Sequence, residues 1–385
     1  MRAARRLPPA PLASMAAAWL SVPTLAATHL PPAGAADAKP AFVYKVLVLG
    51  AGWGSYGRAI NRAGHVAGRL IPGAGDHAFL YADGMLTDLG TLPGYDGSVA
   101  SGINASDQVV GAASGAGRTG HAFLYGGGTM RDIGTLAGGT TAALDINDAG
   151  EIVGSSVVRQ QGYQFAFLYR NGIMRNLGSL PGSDRSVALA INNRGEIAGS
   201  SGVGLSDGPT GEQTHAVVWK NGNILDLGTL GGLSSDANDI NDHGEVTGYS
   251  TFAGGDGPDR VYGGFIWSHG KMHGIGAPPG GSQVMPLGMN NRGQVAGIYA
   301  GFNQQRAFLY GYRGGMHDLT ALVDAAQGWT ITAAYDINDA GQIAGEACDP
   351  SRLYCTAVRL DPIVKSAYAD GGAAPLPGPP SAPRP

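Results

Sequence analysis

One pattern of apolar and polar positions returns along most of the chain. Its clearest copy runs from Ala190 to Gly199 and contains an Ile-Asn pair, two variable positions, a Gly, an apolar residue and a final Gly. Successive copies lie 43 to 49 residues apart. Their asparagines are Asn61, Asn104, Asn147, Asn192, Asn241, Asn290 and Asn338. A period of this length is typical of solenoids, propellers and other repeat arrays.

Each repeat divides into four short apolar segments. In the fourth copy they are residues 186–191, 196–201, 215–220 and 224–230. Their length and their β-branched or aromatic content predict strands, and no window shows a sustained helical period.

The joins between segments carry turn residues. Asn and Gly in the first join, as in Asn147 to Gly150, predict a type I turn with a bulge. The join between the third and fourth segments holds Asp83-Gly84, Asn171-Gly172 and Asn221-Gly222, which are strong hairpin signals. Four antiparallel strands in each of seven repeats predict an all-β fold, the seven-bladed β-propeller.

The two ends of the repeat array complement each other. The seventh repeat stops after its third segment, at Leu360, while Tyr44 to Gly50 occupies the place of a fourth segment before the first Ile-Asn copy. We therefore expect the N-terminal strand to complete the last blade, so that residues 44–360 form a closed ring without an open sheet edge.

The repeat consensus resembles the HAF repeat, a probable extracellular repeat of bacteria. His77 to Leu80, His121 to Leu124 and Phe165 to Leu168 match the defining letters, and the likeness covers Tyr44 to Leu360. The resemblance implies export and gives no settled activity.

Three positions depart from the repeat pattern. Asp107 replaces the turn glycine, Met289 replaces the isoleucine, and residues 274–278 are an eroded fourth segment. Because Asp tolerates left-handed backbone, we expect the turn at Asp107 to be kept.

The composition adds few constraints. The chain has 385 residues, of which 43% are hydrophobic and 14% charged, so it can bury a large core. The net charge is −4, and the 25 lysines and arginines are spread along the chain, which argues against a nucleic-acid surface.

The first 38 residues differ from the repeats. Arg2, Arg5 and Arg6 precede an apolar stretch that ends before Ala26 and Ala27. This order predicts a secretory signal peptide and linker over residues 1–38, with a disordered alanine-rich terminus as the alternative. Because prolines break the apolar stretch, we expect no membrane span in the mature chain. At the other end of the chain, the composition of residues 361–385 predicts a disordered Pro/Ala/Gly-rich tail. The expected location is the periplasm or the cell exterior.

Cys348 and Cys355 are the two cysteines of the chain, and they flank a short loop. If the loop is a hairpin, the two can face each other and form a disulfide, which an oxidising compartment would preserve. Two free thiols are the alternative.

Two motifs imitate ligand loops. Val46 to Ser55 resembles a dinucleotide-binding turn, but Ser55 stands at its third glycine position and no helix follows, so we predict no cofactor. Asp145 to Glu151 resembles a calcium loop with too few oxygens. We predict a structural turn there, with a weak cation site at Asp145, Asp239 or Asp336 as the alternative.

Two further residue types recur at fixed repeat positions. His77, His121 and His215 are equivalent, so a ring arrangement would hold them too far apart to share a metal. The other set is Asp88, Asp132, Asp226 and Asp318, with Asn176 as its variant. Repetition at one position predicts structural bonds, and we expect neither a metal site nor catalytic residues from these sets.

The irregular loops hold the candidate binding residues. The second-to-third and fourth-to-first joins should emerge on one face, and the longest loops are 202–214, 251–263 and 320–332. Aromatic and charged residues on such loops suit ligand binding. The competing interpretation is that the loop sequences vary without any functional constraint. The candidates are Trp53, Tyr56, Tyr95, Asp96, Asp256, Asp259, Arg260, Tyr262 and Trp329.

The sequence thus predicts an exported, monomeric, non-enzymatic binding scaffold whose loop-rich face takes a carbohydrate or protein ligand. One alternative is a polysaccharide hydrolase or lyase with acids from Asp256, Asp259 and Asp324. A structural surface repeat without a small ligand is another.

Overall fold

The computed structural model describes residues 42–73, 75–158, 163–204, 213–253, 262–278, 280–301, 304–312, 315–351 and 354–364. Among these residues, no helix is long and apolar enough to cross a membrane. The signal peptide and most of the tail predicted above lie outside the described residues.

The described residues form seven four-stranded antiparallel sheets arranged as the blades of a propeller. The chain starts with β1 (Phe42–Val48). Blade 1 contains β2 (Tyr56–Ile60), β3 (Val66–Gly73), β4 (Gly75–Ala82) and β5 (Met85–Asp88). Blade 2 contains β6 (Gly97–Ile103), β7 (Val109–Ser114), β8 (His121–Gly126) and β9 (Thr129–Asp132). Blade 3 contains β10 (Gly138–Ile146), β11 (Ile152–Val158), β12 (Tyr163–Arg170) and β13 (Ile173–Asn176).

The remaining blades repeat this order. Blade 4 contains β14 (Ser186–Ile191), β15 (Ile197–Gly202), β16 (Thr214–Lys220) and β17 (Asn223–Asp226). Blade 5 contains β18 (Gly231–Ile240), β19 (Val246–Phe252), β20 (Tyr262–Ser268) and β21 (Lys271–Gly274). Blade 6 contains β22 (Gly281–Met289), β23 (Val295–Gly301), β24 (Gln304–Tyr312) and β25 (Gly315–Asp318). Two short 3-10 helices, Leu319–Leu322 and Ala325–Gln327, lead to β26 (Thr330–Ile337), β27 (Ile343–Cys348) and β28 (Cys355–Val364).

The last blade is completed by the first strand of the chain. β1 pairs antiparallel with β28, with Phe42 opposite Val364 and Val48 opposite Val358. The sheet order is β1, β28, β27, β26. The predicted seven-bladed propeller and its closure by the N-terminal strand are therefore confirmed.

The repeated asparagine explains the turn between the first two strands of each blade. In blade 4, Asn192 Oδ1 accepts hydrogen bonds from the backbone N–H groups of Arg194 and Glu196, and Gly195 has a φ of +74°. The turn needs a residue that tolerates this left-handed backbone. Asp107, which stands at the glycine position in blade 2, has a φ of +57°, so the turn is kept there as predicted.

The same asparagines connect all seven blades around the axis. Asn61 Nδ2 donates to the carbonyl oxygen of Asn104 at 3.0 Å, and each asparagine repeats this bond to the next blade at 2.9 to 3.3 Å. Asn338 of blade 7 closes the ring by donating to the carbonyl oxygen of Asn61. All seven side chains are buried, so each bond stabilises a polar group that has little access to water.

The recurring histidines and aspartates pair with each other within the blades. His121 Nδ1 lies 2.6 Å from a carboxylate oxygen of Asp132, and the pairs His77–Asp88 and His215–Asp226 have the same arrangement. Asp318, the fourth aspartate of the set, accepts hydrogen bonds from Tyr299 and Arg306 instead. These side-chain bonds agree with the structural role predicted for the two sets.

Candidate binding site in the central channel

Each of the seven inner strands contains a β-bulge at the same repeat position. In blade 4, Ala188 pairs with Gly199 and Ala190 pairs with Ala198, which leaves Leu189 as the extra residue. A bulge changes the direction in which a side chain points. We call the seven extra residues the bulge ring: Arg58, Ser101, Leu144, Leu189, Asn238, Leu287 and Tyr335.

The final glycine of the repeated motif makes this bulge feasible. A Cβ atom at Gly199 would overlap the carbonyl oxygen of Val187 on the bulged strand. A Cβ at Gly154 would lie 3.0 Å from the ring of Phe167, the aromatic residue of the HAF-like segment. The repeat motif therefore encodes a close approach of the first two strands, which an aromatic ring from the third strand covers in blades 1, 2, 3 and 6. Equivalent glycines are Gly68, Gly111, Gly154, Gly199, Gly248, Gly297 and Gly345.

Six members of the bulge ring line one cavity in the channel. The cavity has a volume of about 300 Å³, and Ser101 is the member outside it. Leu144, Leu189 and Leu287 supply apolar walls. Gly202 and Thr214, which flank a long loop between the second and third strands of blade 4, also line the cavity. It therefore lies toward the loop-rich face.

One side of the cavity carries a hydrogen-bonded acid. Asp236 accepts hydrogen bonds from the hydroxyl groups of Thr214, at 3.2 Å, and of Ser200 and Tyr249. Burial raises the pKa of Asp236, although these hydrogen bonds favour its charged form. Burial, and then the charge of Asp236, raise the pKa of Tyr249 well above its usual value. Asp236 and Tyr249 thus form a fixed polar pair.

The opposite side of the cavity carries a cation. Arg58 is exposed, and its guanidinium carbon lies 5.2 Å from the centre of the Tyr335 ring. The Tyr335 ring lies 5.4 Å from the Tyr56 ring. Within the described part of the chain, Arg58 has no hydrogen bond or ion pair.

Three aspartates lie one residue beyond the bulge ring and join neighbouring blades. Asp145 accepts from the backbone N–H groups of Ile146 and Ile191, both at 2.8 Å. In the same way, Asp239 joins blade 5 to blade 6 and Asp336 joins blade 7 to blade 1. Burial raises the pKa of Asp145 to about 7, and it also raises the pKa values of Asp239 and Asp336. These contacts give the three carboxylates a structural role in the positions where the sequence left a weak cation site open.

Two of the predicted site residues lie beside the cavity lining. Tyr56 contacts Tyr335 as described, and the guanidinium carbon of Arg69 lies 5.7 Å from the centre of the Tyr56 ring. The Tyr262 ring lies 5.2 Å from the Tyr249 ring. Each is therefore one aromatic contact away from the cavity.

The other described candidates lie elsewhere. Trp53 is 68% exposed on the loop that follows β1. Tyr95 donates its hydroxyl to the carbonyl oxygen of Thr119, and Asp96 accepts from the N–H of Ala116, so both fix loops of blade 2. Asp256, Asp259 and Arg260 lie outside the described residues.

The loop that contains Trp329 supports the seam between the chain ends. Trp329 packs against the buried residues that β1 shares with blades 6 and 7. Gln327 Oε1 accepts from the N–H of Val46 at 3.1 Å, and its amide donates to the Val46 carbonyl at 3.3 Å. Asp324 accepts the backbone N–H of Gln327 with its carbonyl oxygen.

The main cavity residues were not among the sequence candidates. Arg58, Asp236 and Tyr335 lie on inner strands and Tyr249 lies on β19, the second strand of blade 5, whereas the sequence placed its candidates on loops. One signal was present: the bulge position differs between repeats, while the positions around it stay small or apolar. A position that varies inside a regular repeat identifies a surface free from packing constraints.

Cys348 and Cys355 form a disulfide, as predicted. They are directly opposite each other on β27 and β28. Glu346 completes the one group of three metal-ligand side chains found among the described residues, but both sulfurs are engaged in the disulfide.

The fold resembles solved propeller-like structures at low sequence identity. A puromycin-hydrolysing peptidase from Mycobacterium tuberculosis is 13% identical with a TM-score of 0.50, and the alignment covers 82% of this chain and 52% of the peptidase chain. The propeller domain of the Trilobed protease from Pyrococcus furiosus is 12% identical with a TM-score of 0.47, over 69% of this chain and 83% of the domain.

TolB from Acinetobacter baumannii is 13% identical with a TM-score of 0.46, over 66% of this chain and 62% of TolB. The chain thus spans less than two thirds of TolB. No protein-family model matches the sequence, and no curated protein matches it. At these identities the likeness shows the fold alone.

Proposed function

We propose that the protein is an exported HAF-repeat propeller that binds its ligand without catalysis, in the channel cavity toward the loop-rich face. The observation that carries this proposal is the bulge ring. Six blades each direct one side chain into a shared cavity, and those side chains are not the ones that the repeat needs for packing.

The lining has the character of a binding pocket. Ligand pockets are mostly apolar, with a few polar groups that fix orientation. Here Leu144, Leu189 and Met285 form apolar walls, and Asp236 and Arg58 provide charges of opposite sign. A carbohydrate or a protein segment that inserts one group is the expected ligand.

The carboxylates of the channel support binding over catalysis. Glycoside hydrolysis commonly uses a pair of carboxylates on either side of the bond. Among the described residues, Asp236 is the one carboxylate that lines the cavity, and three hydroxyl groups already bond to it. Polysaccharide cleavage remains the second candidate activity, because propeller loops can supply acids as well.

The disulfide between Cys348 and Cys355 supports export, since disulfides persist in oxidising compartments. The HAF-like consensus supports the same location.

A melting experiment tests the binding site. We expect a glycan or peptide ligand to raise the melting temperature of the wild type, because it binds the folded state selectively. Leu189→Trp should fill the cavity and abolish the shift. Ile173→Trp is the matched control, since Ile173 is 54% exposed on an outer strand. A ligand that stabilises both variants equally would place the site elsewhere, and release of reducing ends from a polysaccharide would contradict the non-catalytic assignment.

A further inference from the structure

We propose that the cavity recognises a carboxylate attached to a compact apolar group, with Arg58 as the residue that receives the carboxylate. This inference rests on the binding function proposed above and specifies the chemistry of the ligand.

The first argument is that Arg58 is available. Two partly buried arginines on other strands are anchored: Arg69 to Asp76 at 2.8 Å and Arg306 to Asp318 at 3.0 Å. Arg185, the second arginine of the cavity lining, donates to the carbonyl oxygen of Gln213 at 3.3 Å. Arg58 has the Tyr335 ring as its neighbour instead. An aromatic face holds a guanidinium in place while it leaves the N–H groups at the edge free.

The buried carboxylate of Asp336 does not take up these N–H groups. Arg58 favours the charged form of Asp336, which places the two side chains within electrostatic reach. Both Asp336 oxygens accept backbone N–H groups, from Ile60 at 2.8 Å and from Ile337 at 2.7 Å. No hydrogen bond joins Asp336 to the described Arg58. The planar fork of the guanidinium therefore matches an incoming carboxylate, with which it can form two parallel hydrogen bonds.

The second argument is the shape and polarity of the remaining space. Leu144, Leu189 and Leu287 face the cavity together with Met285 and Val187. A volume of about 300 Å³ is at the lower end of the range for small-molecule pockets, and a leucine-sized side chain or a short acyl chain fits this space.

The third argument is the position of Asp236. It lies on blade 5, three blades away from Arg58 on blade 1, so the two charges stand across the cavity from each other. Arg185, which also lines the cavity, favours the charged form of Asp236, and a ligand with a second negative group at its far end would meet that charged carboxylate and be repelled. We therefore expect a single carboxylate on an otherwise apolar body.

Two sources offer this chemistry, namely the C-terminus of a peptide that ends in an apolar residue and a free short-chain carboxylic acid. The probes for titration calorimetry with the full chain are N-acetyl-leucine, N-acetyl-leucinamide and 4-methylpentanoate. N-acetyl-leucine carries both the carboxylate and the peptide bond of a peptide terminus. N-acetyl-leucinamide lacks the negative charge, and 4-methylpentanoate lacks the peptide bond.

We expect N-acetyl-leucine to bind about 10-fold to 100-fold more tightly than N-acetyl-leucinamide, which is the range for a hydrogen bond to a charged group. Arg58→Gln should remove this preference, and Arg58→Lys should keep part of it. Arg62→Gln is the matched control, because the Arg62 side chain is 77% exposed and lies 3.8 Å from Asp148. Far-UV circular dichroism establishes that each variant is folded.

The outcomes separate this inference from the proposed function. Equal affinity for acid and amide, no binding of either, or full binding by Arg58→Gln would each overturn the assignment of Arg58. Binding that Leu189→Trp blocks without any carboxylate preference would overturn this inference and leave the proposed site in place. Binding that survives Leu189→Trp would overturn both. If the carboxylate preference holds, a higher affinity for N-acetyl-leucine than for 4-methylpentanoate identifies a peptide terminus as the source, and the reverse order identifies a free acid.

Discussion

A single asparagine in each repeat performs two structural tasks with its two amide atoms. The Oδ1 atom of Asn192 accepts the N–H groups of its own turn, and the Nδ2 atom donates to Glu196 and to the carbonyl oxygen of Asn241 in the next blade. An aspartate would keep the first task and lose the second, because an ionised carboxylate cannot donate. This explains why an amide stands at all seven turns.

The aspartates beside the bulge ring make stability depend on pH. Burial raises the pKa of Asp145 to about 7 in the folded protein, from an ordinary value of 3.8. Such a group binds more protons in the folded state, so its stabilising contribution is present below about pH 4 and is lost as pH rises to about 7. Asp239 and Asp336 act in the same direction.

We expect the free energy of unfolding of the wild type to fall, relative to that of Asp145→Asn, between about pH 4 and about pH 7. The change amounts to about 1.4 kcal/mol for each pKa unit that separates the folded and unfolded states. Urea denaturation at several pH values measures it. The difference in unfolding free energy between wild type and Asp145→Asn cancels the contribution of groups that titrate oppositely. Glu196 is such a group, because its pKa is lowered in the folded protein. A constant difference between the two proteins would contradict the raised pKa.

At the scale of the strand, the bulge depends on one glycine per blade. Gly199→Ala would bring a Cβ against the carbonyl oxygen of Val187 and the Cα of Ala188, both backbone atoms that cannot move aside. We expect a loss of about 1 to 3 kcal/mol or more, as for other overpacked sites. Urea denaturation provides the measurement.

Gly73→Ala is the control for this substitution. Gly73 also lies in a strand, and no atom lies within 4 Å of a Cβ built there. An alanine at this position should change stability by no more than about 0.5 kcal/mol. Equal losses at Gly199 and Gly73 would show that the bulge does not require glycine.

The elements were predictable from sequence where local chemistry dictates them. Turn residues and alternating apolar segments predicted four strands per repeat, and the missing segment after Leu360 predicted the closure by β1. The bulge was not predictable in the same way, because one extra residue in a strand leaves no turn signal. The loop around Trp329 was predicted as a ligand loop, yet Gln327 and its neighbours brace β1. Contacts between segments nearly 300 residues apart are not encoded in local patterns.

At the scale of the whole molecule, the closed ring joins distant parts of the chain at two distances from the propeller axis. β1 and β28 pair near the outside, and Asn338 bonds to Asn61 near the axis. Tertiary contacts of such long range are slow to form, and contacts that form after the folding transition state mainly slow unfolding. The seam should therefore contribute mainly to the barrier against unfolding.

A circular permutant tests this role of the seam. Phe42 lies opposite Val364, so an Asn-Gly turn can join these two residues and make blade 7 continuous. With new ends between Leu49 and Gly50, we expect a folded propeller that unfolds faster than the wild type, as measured by fluorescence in urea. The exposed Gly50 makes this a mild site for the cut.

A second permutant serves as control, with the same joint and new ends between Leu177 and Gly178, in the equivalent connection from blade 3 to blade 4. Asp145 bridges these two blades as Asp336 bridges blades 7 and 1. Because the axial bonds are the same at every blade junction, both permutants should unfold at similar rates. An unfolding rate equal to that of the wild type in either permutant would mean that sharing the last blade between the two chain ends is unimportant for unfolding. A large difference between the two permutants would mean that one junction differs from the rest.

The seven asparagines donate in one rotational sense, each to the blade that follows it, so their bonds form a homodromic circuit. Such a circuit has no terminal donor and no terminal acceptor. An eighth repeat would change the angle between neighbouring blades, so every bond of the circuit would have to form at a new angle. The axial hydrogen bonds therefore do not distinguish the first blade from the other six.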